Sequence, residues 1–500
     1  METPPRPERL RRLLRGLANT AAGTGEGIRS GLSQVLPEAP LELRLVGRVL
    51  LHAAVVGVAA GIVGAALFAG LEAAQRLVLE GLAGFSPLRA RGEAIIASGT
   101  DRTFRPWLLA LLPAAGGLVS GLLTSFFAPE AAGGGGNATV EAYHRGGVTM
   151  RARVIPVKMV AAIAALSTGG SGGREGPTMQ IGGALGTFVG RVLPTSPAER
   201  RILYVAGIAA GISAVFRTPL GAALLATEML YRDDFEAEAL VPAILASVVS
   251  YSIVIAAFGE TTLFGVSSRF PFHPAHLPLF ALLALAVSLV AHAFVRALAL
   301  VQAAARRLPG PAFLRPAVGG LAVGLVGTGI ALALEARHGV AARAFGVLGG
   351  GYGVAQAAMD GAAWHPTGWH AVAILGALAV AKLVASALTV GSGAAAGDFA
   401  PSLVVGALVG SAFGHGALAL TGDASIRPDA FALVAMGTFY GGVAHAPLSA
   451  LVLVSELAGS YDLLVPMMLT VGIAYVALRR WTLYPAQPAG RAASPIHRAQ

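Results

Sequence analysis

The stretch Ser171–Gln180, SGGREGPTMQ, places an arginine and a glutamate side by side between glycines, in one of the most apolar parts of the chain. If the surrounding residues lie in a membrane, a carboxylate there costs at least about 2.5 kcal/mol, which makes Glu175 a functional candidate. Neighbours in sequence do not face one another on a helix, which counts against a salt bridge between Glu175 and Arg174. Arg174 keeps two interpretations, contact with an anion and hydrogen bonds to its own turn.

Three segments share one form, in which glycines are followed by a break and then by a helix. They are GGGGNATVEAY (133–143), GGREGPTMQIGGALG (172–186) and GDFAPSLVVGALVG (397–410). Each would leave a helix N-terminus with free N–H groups, which carries about half a positive charge and binds anions. Such ends at membrane depth predict an anion site without a full positive charge. The Glu175 carboxylate could occupy that site as a tethered anion and swing away when it is protonated.

Composition defines the class of protein that must position these residues. The chain has 500 residues, of which 55% are hydrophobic and 12% charged, against about 25% charged in soluble domains. Apolar runs reach the roughly 20 residues that cross a bilayer, which predicts a polytopic all-α membrane protein. The absence of cysteine excludes disulfides and thiolate chemistry. The net charge of +10 comes mostly from arginines beside apolar runs, which favours membrane orientation over nucleic-acid binding. The pattern predicts no enzyme, metal or cofactor.

The chain also repeats itself. The 29 residues from Lys158 align without a gap with those from Lys382, 224 positions later, and these two are the chain's only lysines. TPLGAALLATE (218–228) similarly matches APLSALVLVSE (446–456). We therefore expect a duplication, with a basic cytoplasmic segment at 1–44, one membrane repeat at 45–258, a second at 259–484 and a cytoplasmic tail at 485–500. Basic residues near both ends predict that both termini face the cytoplasm.

GREGPTMQIGG and GSGAAAGDFAPSLVVGALVG resemble the two strongest signatures of the CLC family of chloride channels and proton-coupled chloride transporters. The resemblance runs from about Leu45 to Tyr484 and includes APLSALVLVSELAGSYDLLVPM. It implies two inverted repeats of broken, tilted helices, a homodimer in the cell (inner) membrane, and transport of chloride or a similar small anion, as chloride/proton exchange or as a passive channel. A cation-coupled solute carrier is the alternative from another class, and the N–H donors at the three breaks count against it.

The resemblance also implies roles for particular residues. Glu175 matches the family's gating glutamate, Asp398 and Phe399 match residues whose amides contact the central anion, and Tyr484 aligns with the pore tyrosine. With their neighbours in the three signatures, the candidate anion-binding residues are Gly134, Gly135, Gly136, Asn137, Arg174, Gly176, Asp398, Phe399, Ala400 and Tyr484.

Three positions depart from the family pattern. Gly134 stands where a serine hydroxyl usually faces the anion, unless Asn137 or Thr139 substitutes for it. Glu228 and Met229 stand where transporters of the family often have two glutamates, the second of which relays protons from the cytoplasm. A methionine cannot relay a proton, and Glu228 has its own repeat mate in Glu456, which favours a shared helix-end role.

Asp398 is the third departure, because it replaces a more usual apolar residue. It could cap its helix, pair with Arg174 or Lys382, or tune conduction. The glycine-rich stretch LGGGYGVAQAAMDG (348–361) lacks a Walker lysine and is interpreted as a connector of short helices.

Overall fold

The computed structural model describes residues 41–93, 102–145, 150–265, 269–360 and 368–498. Within these ranges the secondary structure is helical, and the extended pairing is limited to an isolated antiparallel bridge between Gly173 and Gly397. From His52 onward the chain forms one compact unit. Most of the predicted basic segment 1–44 lies outside the described residues.

The described helices fall into two sets of eight. The first half contains α1 to α8, which are Leu41–Gln75, Pro106–Phe127, Gly136–His144, Val154–Ser167, Glu175–Val192, Pro197–Phe216, Pro219–Glu228 and Leu240–Phe258. The second half contains α9 to α16, which are Leu277–Arg307, Arg315–His338, Tyr352–Asp360, Gly368–Gly391, Phe399–Thr421, Pro428–Ala444, Pro447–Ala458 and Leu464–Ala477. A short α17, Pro495–Arg498, follows.

The length and composition of these helices indicate a membrane protein. Seven of the described helical spans are long and apolar enough to cross a bilayer: 47–80, 106–127, 237–258, 274–307, 312–338, 368–391 and 399–421. The apolar helices α4, α15 and α16 are shorter. The protein is therefore a multi-pass membrane protein, as the composition predicted.

The two sets of helices correspond one to one, and the same unusual backbone conformation occurs at matched positions in both. Arg217 and His445 are the described non-glycine residues with positive φ, at 58° and 52°, and each ends a helix just before a proline-initiated helix, α7 or α15. Such conformations are uncommon outside glycine. Their occurrence at matched positions confirms that the two halves repeat one structure.

Glycines bring the helices next to the site into close contact. A Cβ atom on Gly182 of α5 would overlap the carbonyl oxygen of Gly207 in α6. In the second half, a Cβ atom on Gly406 of α13 would lie 2.7 Å from the carbonyl oxygen of Ala435 in α14. Small residues at helix crossings allow this approach in membranes. The same helix pair is therefore packed tightly in both halves.

Candidate functional site

The glycine-rich breaks meet at the bridge between the two halves. The N–H of Gly173 donates to the carbonyl of Gly397 at 2.8 Å, and the N–H of Gly397 donates to the carbonyl of Gly173 at 2.6 Å. These two glycines are the equivalent residues of the duplicated segment. The pairing therefore places a local two-fold axis between the start of α5 and the start of α13.

The break before α3 joins the same point. A side chain on Gly176 would overlap the carbonyl oxygen of Gly134, and its Cβ would lie 2.9 Å from the Cα of Gly397. Gly135 has φ of 90°, and a side chain there would overlap the carbonyl oxygen of Gly176. All three predicted breaks are therefore in direct contact, and the contact requires residues without side chains at Gly135 and Gly176.

Glu175 is the first residue of α5 and is fully buried. Its Oε1 accepts a hydrogen bond from the hydroxyl of Tyr352. Its Oε2 has no hydrogen-bond partner and lies against Gly173, where a Cβ atom would collide with it. A buried carboxylate with one unsatisfied oxygen is costly, and such groups in native structures call for an explanation.

Tyr352 was not among the site residues predicted from the sequence. Tyr352 begins α11, which has nine residues, as α3 has. Gly349 and Gly351 have φ of 68° and 87°, close to the 74° and 90° of Gly133 and Gly135. The stretch interpreted as a connector is thus the repeat of the first break, at a spacing of 216 rather than 224. That spacing was the clue available in the sequence.

Tyr484 occupies the place related to Tyr352 by the local symmetry. The repeat mate of Tyr352 is Gly136, and a Cβ atom on Gly136 would lie 2.5 Å from Cε1 of Tyr484. The Tyr484 hydroxyl is 3.2 Å from that of Tyr440, and the Tyr440 ring packs edge-on to Phe399 at 4.2 Å. The structure therefore brings Tyr484, Gly136 and Phe399 together at the start of α13.

Arg174 makes neither the salt bridge nor the turn contacts that were considered. Its guanidinium lies 4.2 Å from the ring centroid of Phe68 in α1, which is a cation–π contact. Its Nε has no hydrogen-bond partner in the described part of the chain. Arg174 lines a cleft together with Glu72, Glu93 and Tyr352. The expected hydrogen bonds to its own turn are thus replaced by aromatic packing.

No hydroxyl from the first break replaces the missing serine. The Thr139 hydroxyl donates to the carbonyl of Gly135 at 2.8 Å, because in a helix it reaches back four residues. The side-chain carbonyl of Asn137 accepts from the N–H of Ala486 at 2.9 Å. The substitution suggested for Thr139 is therefore wrong, and Asn137 binds the segment after Tyr484.

Asp398 makes none of the specific contacts that were considered. It precedes α13 without a side-chain capping bond, and no ion pair in the described ranges joins it to Arg174 or Lys382. Its Oδ2 would lie 3.5 Å from a Cβ atom on Gly134. The carboxylate therefore borders the position that a side chain at Gly134 would take.

The two lysines have equivalent structural roles. The Nζ of Lys158 donates to the carbonyls of Ala131 and Gly133 at 2.8 and 2.6 Å. The Nζ of Lys382 donates to the carbonyls of Val347 and Gly349 at 3.1 and 2.6 Å and to Ser171 Oγ at 3.0 Å. Each buried ammonium thus holds the glycine turn that precedes a nine-residue helix, which explains why both lysines lie at matched positions.

Glu228 and Glu456 cap each other's helices. Glu228 accepts from the N–H of Leu448 and Ser449 at the start of α15, at 3.1 and 2.7 Å. Glu456 accepts from the N–H of Leu220 and Gly221 at the start of α7, at 3.3 and 2.7 Å. The predicted helix-end role of Glu228 is confirmed. Met229 is fully buried behind it.

Together, the fold and the site define a multi-pass membrane protein of two inverted repeats, in which broken helices meet around a buried glutamate. The family model described as voltage gated chloride channel matches residues 116–479. The chain belongs to this family.

Two similar proteins agree with the match. A putative chloride channel protein, ClcB-like, of Ralstonia nicotianae is 31% identical over 382 residues, which are 75% of this chain and 84% of the relative. An H(+)/Cl(-) exchange transporter, ClcA, of Salmonella paratyphi B is 31% identical over 426 residues, with 84% and 83% covered.

Solved structures share the fold. A slow cyanobacterial Cl-/H+ antiporter superposes with a TM-score of 0.71 at 23% identity, over 90% of this chain and 96% of that chain. A CLC-type fluoride/proton antiporter superposes with a TM-score of 0.70 at 20% identity, over 89% and 98%. These matches confirm the predicted fold class.

Proposed function

We propose that this chain exchanges small inorganic anions, chloride first among them, for protons across a membrane, with Glu175 as the protonatable gate. One observation carries the proposal. Glu175 is fully buried at the start of α5, where the glycine breaks of both halves meet, and one of its carboxylate oxygens has no partner. The exchange activity named for the ClcA relative supports the same conclusion.

The Glu175 carboxylate and a free anion compete for the same helix N-termini. The N-termini of α5 and α13 present unpaired N–H groups, which favour a negative charge without any fixed cation. When Glu175 is ionised, its carboxylate is the anion that occupies this region. When it is protonated, the attraction is lost and a free anion takes its place. The amides around Gly176, Phe399 and Ala400 then bind the anion, with Tyr484 beside them.

Alternating occupation couples the two ions. The Glu175 carboxyl carries a proton only when it moves away from the helix N-termini. An anion can bind and move only while the carboxyl is away from them. Tyr352 holds the carboxylate in the position described, so that breaking this hydrogen bond is part of each cycle. The two movements are therefore linked through one side chain.

A passive anion channel of the same family is the second candidate, because two observations favour it. Met229 is buried where a second acid would relay protons, and both carboxylate oxygens of Glu228 are engaged at the start of α15. In a channel the Glu175 gate would still open and close, but no proton would cross.

We also propose the assembly and orientation that the resemblance implies. The protein is a homodimer in the inner membrane, with one anion pathway in each subunit and both termini in the cytoplasm. The repeats occupy 45–258 and 259–484, and the tail is 485–500.

Flux in proteoliposomes tests the proposal. Vesicles loaded with chloride are diluted into chloride-free buffer, while external chloride and pH are recorded together. Chloride efflux should drive protons inward against their gradient, and Glu175→Gln should keep chloride flux but abolish proton movement.

The matched control is Glu141→Gln, because Glu141 is a half-exposed carboxylate on α3 that is paired with Arg145. This variant should exchange both ions as the wild type does. Chloride flux without proton movement in the wild type would establish the channel instead, and the absence of chloride flux would refute both candidates.

A further inference from the structure

The carboxylate of Asp398 lies on the side of Gly134 from which a side chain would project, together with the side chain of Val390. A Cβ atom built on Gly134 would lie 3.5 Å from Oδ2 of Asp398, which is an ordinary contact distance. Asp398 is 8% exposed, and its side chain caps no amide of α13. A carboxylate therefore borders the space beside Gly134, and Gly134 has no hydroxyl to offer.

Within the described ranges, Asp398 forms no ion pair. The charged side chain that interacts with it electrostatically is Lys158, but the Lys158 ammonium is hydrogen-bonded to the carbonyls of Ala131 and Gly133. No ion pair of 4.0 Å or less joins Lys158 to Asp398 among the described residues. The phenols of Tyr440 and Tyr484 are the other titratable groups that interact with Asp398.

We propose that protonated Asp398 supplies the hydrogen-bond donor that Gly134 lacks, so that each anion bound beside Gly134 brings one proton with it. A protonated carboxyl group has an O–H that can donate, whereas an ionised one only accepts. The proton comes from water, binds one carboxylate oxygen, and returns to water when the anion leaves. This inference rests on the proposed anion transport.

Repulsion between like charges links anion binding to protonation of Asp398. An anion beside an ionised carboxylate is unfavourable, and two negative groups that share a site retain a proton between them. Binding that takes up one proton tightens tenfold for each unit of falling pH, as long as the free carboxylate is ionised. The chloride affinity of this position should therefore follow pH with a slope of one.

Chloride binding to the purified full-length chain tests the inference, independently of transport. Glu175→Gln is the background, because it removes the gate's own proton linkage. Isothermal titration with potassium chloride, in buffers of different ionisation enthalpy, counts the protons taken up per chloride ion. We expect one proton in Glu175→Gln and none in Glu175→Gln/Asp398→Asn.

A third variant separates the role of Asp398 from general damage to the site. Gly134→Ser with Asp398→Val, in the Glu175→Gln background, restores a hydroxyl, and the new Cβ atom would lie at ordinary contact distances, 3.5 Å from Cγ1 of Val390 and 3.8 Å from the carbonyl oxygen of Ala396. Chloride should bind this variant with an affinity that is independent of pH.

The same proton uptake with and without Asp398, or no proton uptake in Glu175→Gln, would overturn the inference. So would pH-dependent binding in the variant with the restored hydroxyl. A protein that binds chloride with this linkage but moves no protons would be a channel, so that failure of exchange and failure of the inference give different results.

Discussion

Replacing Glu228 by Gln, with Glu456→Gln as its matched control, separates a structural role from proton transfer. Each carboxylate accepts from two backbone N–H groups at the start of the other half's helix. An amide keeps one acceptor but turns an N–H toward the second donor. Losing one charge-assisted hydrogen bond costs about 1.5–3 kcal/mol when buried, and helix-cap losses are about 0.5–2 kcal/mol.

Both glutamates are partly exposed, so a loss of about 2 kcal/mol for Glu228→Gln is the reasonable figure. Glu456→Gln should lose slightly less, because its bond to Leu220 is longer, at 3.3 Å, and because Glu228 also accepts from the Ser449 hydroxyl. The assay is the thermal midpoint of the purified protein in detergent, followed by the ratio of protons to chloride in proteoliposomes. Both variants should lower the midpoint and leave that ratio unchanged.

One result would refute the reasoning. If Glu228→Gln abolishes proton movement while Glu456→Gln does not, at equal loss of thermal stability, then Glu228 transfers protons in addition to its capping role. The two positions are matched by the repeat, so the comparison does not depend on an unrelated surface control.

Two further predictions rest on contacts of the site, and a third rests on the loop after α13. Tyr352→Phe removes the hydroxyl that binds Glu175, so chloride flux at neutral pH should rise and its dependence on pH should weaken; unchanged flux would show that this bond does not restrain the gate. Gly136→Ala places a methyl group 2.5 Å from the Tyr484 ring, whereas Gly329→Ala in α10 meets nothing within 4 Å. Chloride flux should fall strongly in Gly136→Ala, while Gly329→Ala should keep its flux and gain up to about 1 kcal/mol of helix stability. Equal flux in the two variants would contradict the packing of Gly136 against Tyr484. In the loop after α13, hydrogen bonds from Ser425 and then His276 lower the pKa of Asp423 to about 2, so this carboxylate stabilises the loop above its unfolded pKa of about 4 and ceases to do so as pH falls toward 2. The Ser425 amide donates to Asp423 at 2.9 Å, so the protection of this amide, measured as its hydrogen-exchange rate relative to the intrinsic rate at the same pH, should fall over that interval. In Asp423→Asn the protection should be low and should not change over the same interval.

The starts of the central helices could be predicted from sequence because their causes are local. Glycines that permit positive φ, followed by proline near the first turn, interrupt the chain whatever surrounds it. The breaks before Glu175 and Phe399 therefore lie where the pattern predicted. The duplication added the correspondence between Glu228 and Glu456, and hence their shared role at helix ends.

The remaining contacts could not be predicted, because they depend on how the two halves face each other. The bond between Tyr352 and Glu175 joins residues 177 positions apart, and the stacking of Arg174 on Phe68 joins helices that share no motif. The position of Asp398 opposite Gly134 likewise appears only when the breaks are brought together. The 216-residue spacing between Gly133 and Gly349 can be read from the sequence, but an alignment of the two halves at an offset of 224 does not pair these two glycines.

The bridge between Gly173 and Gly397 has a consequence for the origin of the protein. A pairing between equivalent residues is self-complementary, so two separate copies of one half could form it across a two-fold axis. A half-length ancestor could thus have assembled as a dimer with two identical sites. Fusion into one chain freed each copy to diverge, and the gate residues are among those that differ across the axis: Glu175 opposite Phe399, Arg174 opposite Asp398, and Gly136 opposite Tyr352. The gate is therefore asymmetric, although the helix starts that carry it are related by the local two-fold axis.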